Sequence, residues 1–78
     1  MKYKLATDKQ VAYLTKLADK VERMKKTTPA LQNVEHMDWY EARRQGMDTL
    51  DASIRINAYH QMITWANVTR KLLGLKQL

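Results

Sequence analysis

Residues 49–73 read TLDASIRINAYHQMITWANVTRKLL, with neither proline nor glycine to interrupt them. A run of this length and composition has one economical conformation, a single long helix. At about 100° per residue its apolar side chains fall in two neighbouring stripes. One holds Ala52, Ile56, Tyr59, Ile63, Ala66 and Leu73, and the other holds Ile54, Ala58, Met62, Trp65 and Leu72. Together they cover roughly half the circumference, more than a surface helix needs to bury. Ser53, His60, Thr64, Asn67 and Lys71 mark the side expected to face water. A helix apolar over so wide an arc needs two partners: two other helices of the chain, or one of them and a second molecule. Trp65, in the second stripe, is expected in the core.

Seventy-eight residues suffice for one domain. A chain of that size buries only about 60% of its unfolded surface, so each apolar face matters. There is no cysteine, hence no disulfide and no thiolate metal site, which fits a reducing, cytoplasmic setting. No stretch of about 18 apolar residues exists to span a membrane. The opening MKYKLATDKQ has no apolar segment of the kind a signal peptide carries. The formal net charge of +6 is uneven: residues 1–26 carry eight Lys/Arg against three acids, residues 27–78 six against five. A basic half on a small domain suits phosphates, acidic protein surfaces or anionic lipid; the plainer account is charge kept for solubility.

The rest of the chain supplies two further helices. Thr7-Asp8-Lys9-Gln10 is a capping box, in which the Thr7 hydroxyl accepts from the Gln10 amide and the Gln10 side chain reaches back. Val11, Leu14, Leu17, Ala18, Val21 and Met24 then form one apolar face, with Tyr13 at its edge, and the helix spans about 8–25. Lys25 and Lys26 suit its negative end. Pro29 disfavours a helical Thr28 and stops it. Residues 27–34 form a connector with room for one turn at 30–33, and the lead-in is expected to pack through Tyr3 and Leu5. A shorter helix spans about 37–45, capped by Asp38, with Gly46 placed to end it in a left-handed conformation. Asp48 or Thr49 caps the long helix, and Gly74 ends it near Leu73. The expected fold is therefore a small all-α, three-helix domain with the long C-terminal helix at its centre.

Ala6-Thr7-Asp8-Lys9-Gln10-x-x-Tyr13-Leu14-x-x-Leu17 resembles the opening of a short helical module of phage and mobile-element proteins. That module also occurs at the ends of some recombination or replication proteins. Its second half typically reads T-x-x-x-A-S-x-x-I-x-x-L. Here Asp51-Ala52-Ser53-x-x-Ile56-x-x-Tyr59 is similar, with Tyr59 where leucine is usual. The match covers about a third of the chain. The connecting segment is longer than the module's and carries its own helix, and the last helix continues well past the motif. The resemblance implies a phage or plasmid origin and a role near DNA.

Lys9, Lys16, Lys20 and Arg23 lie within roughly 60° of one another on the first helix, away from Leu14 and Val21. Such a row tracks a phosphate backbone, although any surface helix must also expose something polar. Lys2 and Lys4 extend it as an arm. Arg43 and Arg44 add forked donors suited to phosphate, and also suit the C-terminus of the short helix through its dipole. Lysines give affinity without base readout. A helix-turn-helix through Gly46 would leave only Ser53, Arg55, Asn57 and His60 for a groove, too few for a recognition helix.

Among the large side chains, Trp39, Tyr40, Met62 and Trp65 are the candidates for contacting a protein partner. Trp39 and Tyr40 are adjacent, so one points inward and the other outward. His36 and His60 stand alone, with no cluster to complete a metal site. There is no cysteine nucleophile, serine elbow or glycine-rich phosphate loop, and the acid pair Asp48 and Asp51 reads as helix capping, so neither enzyme activity nor a cofactor is expected. Two functions follow. One is a basic, non-enzymatic DNA-binding accessory protein of a phage or plasmid. The other is a module or inhibitor that docks on a nuclease, polymerase or defence complex. The wide apolar arc would equally serve a homodimer.

Overall fold

The computed structural model describes residues 4–28 and 31–76. It contains three helices, α1 (Asp8–Lys25), α2 (Trp39–Arg44) and α3 (Thr49–Leu72). The all-α class and the long C-terminal helix are as expected. All three short-range start signals hold. The Thr7–Gln10 capping box forms in both directions, at 3.0 and 3.1 Å. Asp48 accepts from the Asp51 amide at 2.7 Å, and Asp38 accepts from the amides of Tyr40 and Glu41. That cap sets α2 to begin at residue 39 rather than 37, and α2 ends at 44 rather than 45.

Both glycines act as stops. Gly46 (φ 111) and Gly74 (φ 74) adopt positive φ, where a side chain would be strained. Beyond each, the chain folds back onto its helix. Met47 N–H donates to the Ala42 carbonyl, and Leu75 N–H to the Arg70 carbonyl. Each glycine amide also donates within the last turn, to Arg43 and Lys71. This paired bonding is the Schellman arrangement that satisfies the orphan carbonyls of a helix end.

The lead-in and the α2–α3 turn are tied by backbone. Ala6 N–H donates to the Met47 carbonyl at 2.9 Å, and Thr49 N–H to the Lys4 carbonyl at 3.0 Å. Leu5 and Asp48 thereby form an isolated antiparallel bridge. The starts of α1 and α3 are fastened at one end of the molecule, and the two helices run parallel. The register continues along their length: Gln10 donates to the Thr49 carbonyl and Ser53 hydroxyl, Tyr13 meets His60, and Arg70 donates to Thr27. Two parallel helices require a return path. Residues 31–38 and α2 provide it, running back beside α1 so that His36 reaches Asp19 and Arg43 reaches Asp8.

The core lies where α1, α3 and this return segment converge. All six expected α1 positions are buried, Val11 and Leu14 completely. From α3 come Ala52, Tyr59, Ile63 and Ala66, with Ile56 half-buried. Trp39 sits edge-on to Tyr59, ring centroids 5.8 Å apart, with the Arg55 guanidinium 5.4 Å from its own ring centroid. Ala6, Leu31 and Met47 complete the core. Ala6 and Met47 each precede a helix cap and pack as staples toward Val11 and Ala52.

Several expectations are corrected. Trp65 is not core: it is 71% exposed, and Ile54 and Leu72 of the same stripe are exposed with it. Leu73, assigned to the buried stripe, is exposed because the helix has turned into its cap by then. Leu5 is exposed too, since the backbone bridge rather than its side chain anchors the lead-in. Ser53 and His60 are exposed, as expected of the watery side, and from there also meet Gln10 and Tyr13 of α1. α1 and the return segment cover one side of α3 only, so half its apolar arc has no counterpart within the described residues. The expected contributions of Lys2, Tyr3, Pro29 and Ala30 lie outside the described residues.

Two tryptophans with opposite burial make a direct test. Trp39→Ala is expected to lower unfolding free energy by about 3–5 kcal/mol, while Trp65→Ala changes it by no more than about 0.5 kcal/mol. Urea unfolding of the two variants, followed by circular dichroism, measures the difference.

Candidate nucleic-acid interface

The outward face of α1 carries the cations singled out from sequence. Lys9, Lys16 and Arg23 are exposed and Lys20 is half-buried, on the side away from Leu14 and Val21. From Lys9 to Arg23 the row extends about 21 Å at 1.5 Å per residue. That length matches about six base-pair steps of duplex at 3.4 Å each. Among the described residues none of the four is paired with a carboxylate.

The reason lies in how the neighbouring acids are occupied. Asp8 accepts from Arg43 of α2. Asp19 lies 3.5 Å from His36 Nε2 on the return segment. Glu22 pairs with Lys25 at 3.1 Å within the helix. Asp8 and Glu22 thus pair with other cations, Asp19 contacts His36, and none of the three contacts the row. From sequence His36 stands alone as a metal ligand, and Arg43 suits phosphate and the helix dipole equally. The packing of the return segment against α1 shows what each touches, a fact that no local spacing encodes.

Arg44 is likewise engaged, donating through Nε and Nη2 to Glu41. The Glu41 carboxyl is held below its usual range, first by that hydrogen bond and then by the guanidinium charge. Arg43 also lies 5.8 Å from the centre of the Tyr40 ring. Lys4 is exposed, with its carbonyl fixed by Thr49 at the α1 start. Lys2 lies outside the described residues. The eight proposed cations therefore divide. Lys9, Lys16, Lys20 and Arg23 share one face, Lys4 lies at its end, and Arg43 and Arg44 serve internal pairs.

The candidate partner-contact residues divide as well. Trp39 is 3% exposed and is withdrawn from that role. Its neighbour Tyr40 points outward, as adjacency on a helix requires. Trp65 and Met62 line a groove of about 430 Å³ between α3 and the return segment, with Leu31 and Val34 opposite. Sequence reading also missed Arg70. It is buried, donating from Nε to the Lys76 carbonyl at 2.7 Å and from Nη1 to the Thr27 hydroxyl at 2.8 Å. It ties the end of α1 to the end of α3. An arginine next to Lys71 in a last turn reads as a dipole complement, and only the folded chain shows its inward course.

No set of three or more histidines and acids that could hold a metal occurs among the described residues. No helix among them is long and apolar enough to cross a membrane. In comparisons with known proteins, no family model, no curated protein and no solved structure matches this chain.

The Tyr59 phenol offers a pH test of the packing beneath this site. Burial disfavours its anion and raises its pKa above the ordinary value of 10.0. Below that value the phenol is neutral in both folded and unfolded chains, and its contribution is intact. As pH rises past it, the unfolded chain loses the proton first, so stability falls. Tyr59→Phe is therefore expected to lose less stability than the parent chain between neutral pH and about pH 11. Urea unfolding at the two pH values checks this.

Proposed function

We propose that this protein is a small non-enzymatic DNA-binding accessory protein that lies along phosphates with the outer face of α1. The observation that carries the reading is the row Lys9, Lys16, Lys20 and Arg23, without a carboxylate partner while every acid of α1 is paired elsewhere. Four cations on a rigid helix over about 21 Å can neutralise successive phosphates and release their counterions. Lys4 extends the row at the α1 start. The interaction is one of affinity rather than sequence, because lysines carry no bidentate base readout. The resemblance of residues 6–17 and 51–59 to a helical module of phage and mobile-element proteins supports a setting near recombination or replication.

A second reading is a module or inhibitor that docks on another protein. The exposure of Trp65, beside the groove lined by Met62, favours it. Tyr40 is a further outward contact. Positive charge opposes DNA mimicry, which needs an acidic surface.

Binding to random duplex and single-stranded DNA separates the readings. With four phosphate contacts, the slope of log affinity against log salt is expected near −3.6 for duplex, about a hundredfold loss between roughly 50 and 200 mM salt. Lys16→Glu with Lys20→Glu is expected to abolish binding at the lower salt and leave helicity unchanged. Binding that survives this pair of changes would show that α1 is the wrong face.

A further inference from the structure

The side of α3 turned away from the core is patterned, not merely apolar. Ile54, Ala58, Gln61, Trp65, Val68 and Leu72 follow one another at intervals of four, three, four, three and four. That alternation is the seam of a two-helix coiled coil. On a helix the six positions fall in a stripe about 80° wide. Its centre lies nearly opposite the buried set Ala52, Tyr59, Ile63 and Ala66. All six are exposed except Ala58, which is half-buried; Ile54 is 58% and Leu72 82% exposed. A soluble chain that spends five turns of sequence on a seam its own fold does not use has a helix to place there.

We infer that this seam pairs with the same seam of a second copy of the chain, the two α3 helices antiparallel about a two-fold axis near Ile63. In that register the six positions match one another. Ile54 lies opposite the second copy's Leu72, Ala58 opposite its Val68, and Gln61 opposite its Trp65. The small alanine meets a β-branched residue, and the one polar side chain meets the one indole, whose N–H its amide oxygen can accept. A single polar position of this kind fixes register.

The exposed parts of Leu50, Ile54, Trp65, Val68 and Leu72 amount to on the order of 600 Å² per chain, the upper end for a patch on a monomer. A symmetric pair that covered all of it would bury about 1,200 Å², the lower bound of a standard stable interface. The chain exposes 5879 Å², against about 4,900 Å² for a compact protein of its mass.

The parallel alternative stacks Gln61 on Gln61 and aligns the two helix dipoles. The antiparallel pair avoids both. It also directs the two α1 starts to opposite ends of the assembly, keeping the basic halves apart.

Sedimentation equilibrium from about 1 µM to about 1 mM tests the inference without nucleic acid, so its outcome is independent of the phosphate reading. The mass is expected to rise from 9.2 kDa to twice that value. Trp65→Glu and Leu72→Lys are each expected to hold it at the monomer value, with unchanged circular dichroism because neither residue is in the core. The chain has no cysteine, so orientation can be read with Ile54→Cys and Leu72→Cys variants mixed in a glutathione buffer. The mixed 54–72 disulfide is expected to dominate. A monomer at every concentration, a dimer that survives Trp65→Glu, or a majority of 54–54 and 72–72 disulfides would overturn the proposal.

Discussion

The architecture depends on two backbone hydrogen bonds at one end of the molecule. Ala6 N–H to the Met47 carbonyl and Thr49 N–H to the Lys4 carbonyl fasten the entry to α1 beside the entry to α3. A chain cannot make two consecutive helices parallel without a return segment as long as the first. The 31–38 stretch and α2 are that return. They cover one flank of α1, and the rest of the molecule follows from which flank. At the far end Arg70 donates to Thr27, so the parallel pair is held at both ends and through the Gln10 and Tyr13 contacts between.

Electrostatics follows from the same geometry. The return segment brings Arg43 to Asp8 and His36 to Asp19, so two of the three acids of α1 find partners on the covered flank, and Glu22 meets Lys25 within the helix. What remains outward is a row of cations with nothing of opposite sign in contact. These polar contacts are solvent-exposed and contribute little stability individually. Their effect is on the sign of the neighbouring surface, which is the property a phosphate ligand reads.

α3 is covered on one side only. α1 and the return segment both lie against the Ala52–Tyr59–Ile63–Ala66 stripe, leaving Ile54, Trp65 and Leu72 in solvent. The two apolar stripes that sequence placed side by side thus have separate fates. One closes the domain, and the other is largely a surface, with Met62 packed against the core and Ala58 half-buried. Trp39 and Trp65 illustrate the division, since a tryptophan's hydrophobicity says that it favours burial and not by what.

Local signals were enough for much of this. The Thr7–Gln10 box, the Asp38 and Asp48 caps and the glycines at 46 and 74 bound three helices to within two residues, because capping depends on groups a few positions apart. The α1 core face was equally legible, since a single period puts all its apolar residues on one side. The bare cation row was visible as a row, though its freedom from acids was not. Whether a charge is paired, whether Trp65 or Trp39 is covered, and whether Arg70 points inward depend on neighbours 17 to 43 positions away in the chain. Those distances are closed only when the return segment docks. Periodicity specifies the faces of a helix, while the choice of which face meets which partner belongs to the packed chain.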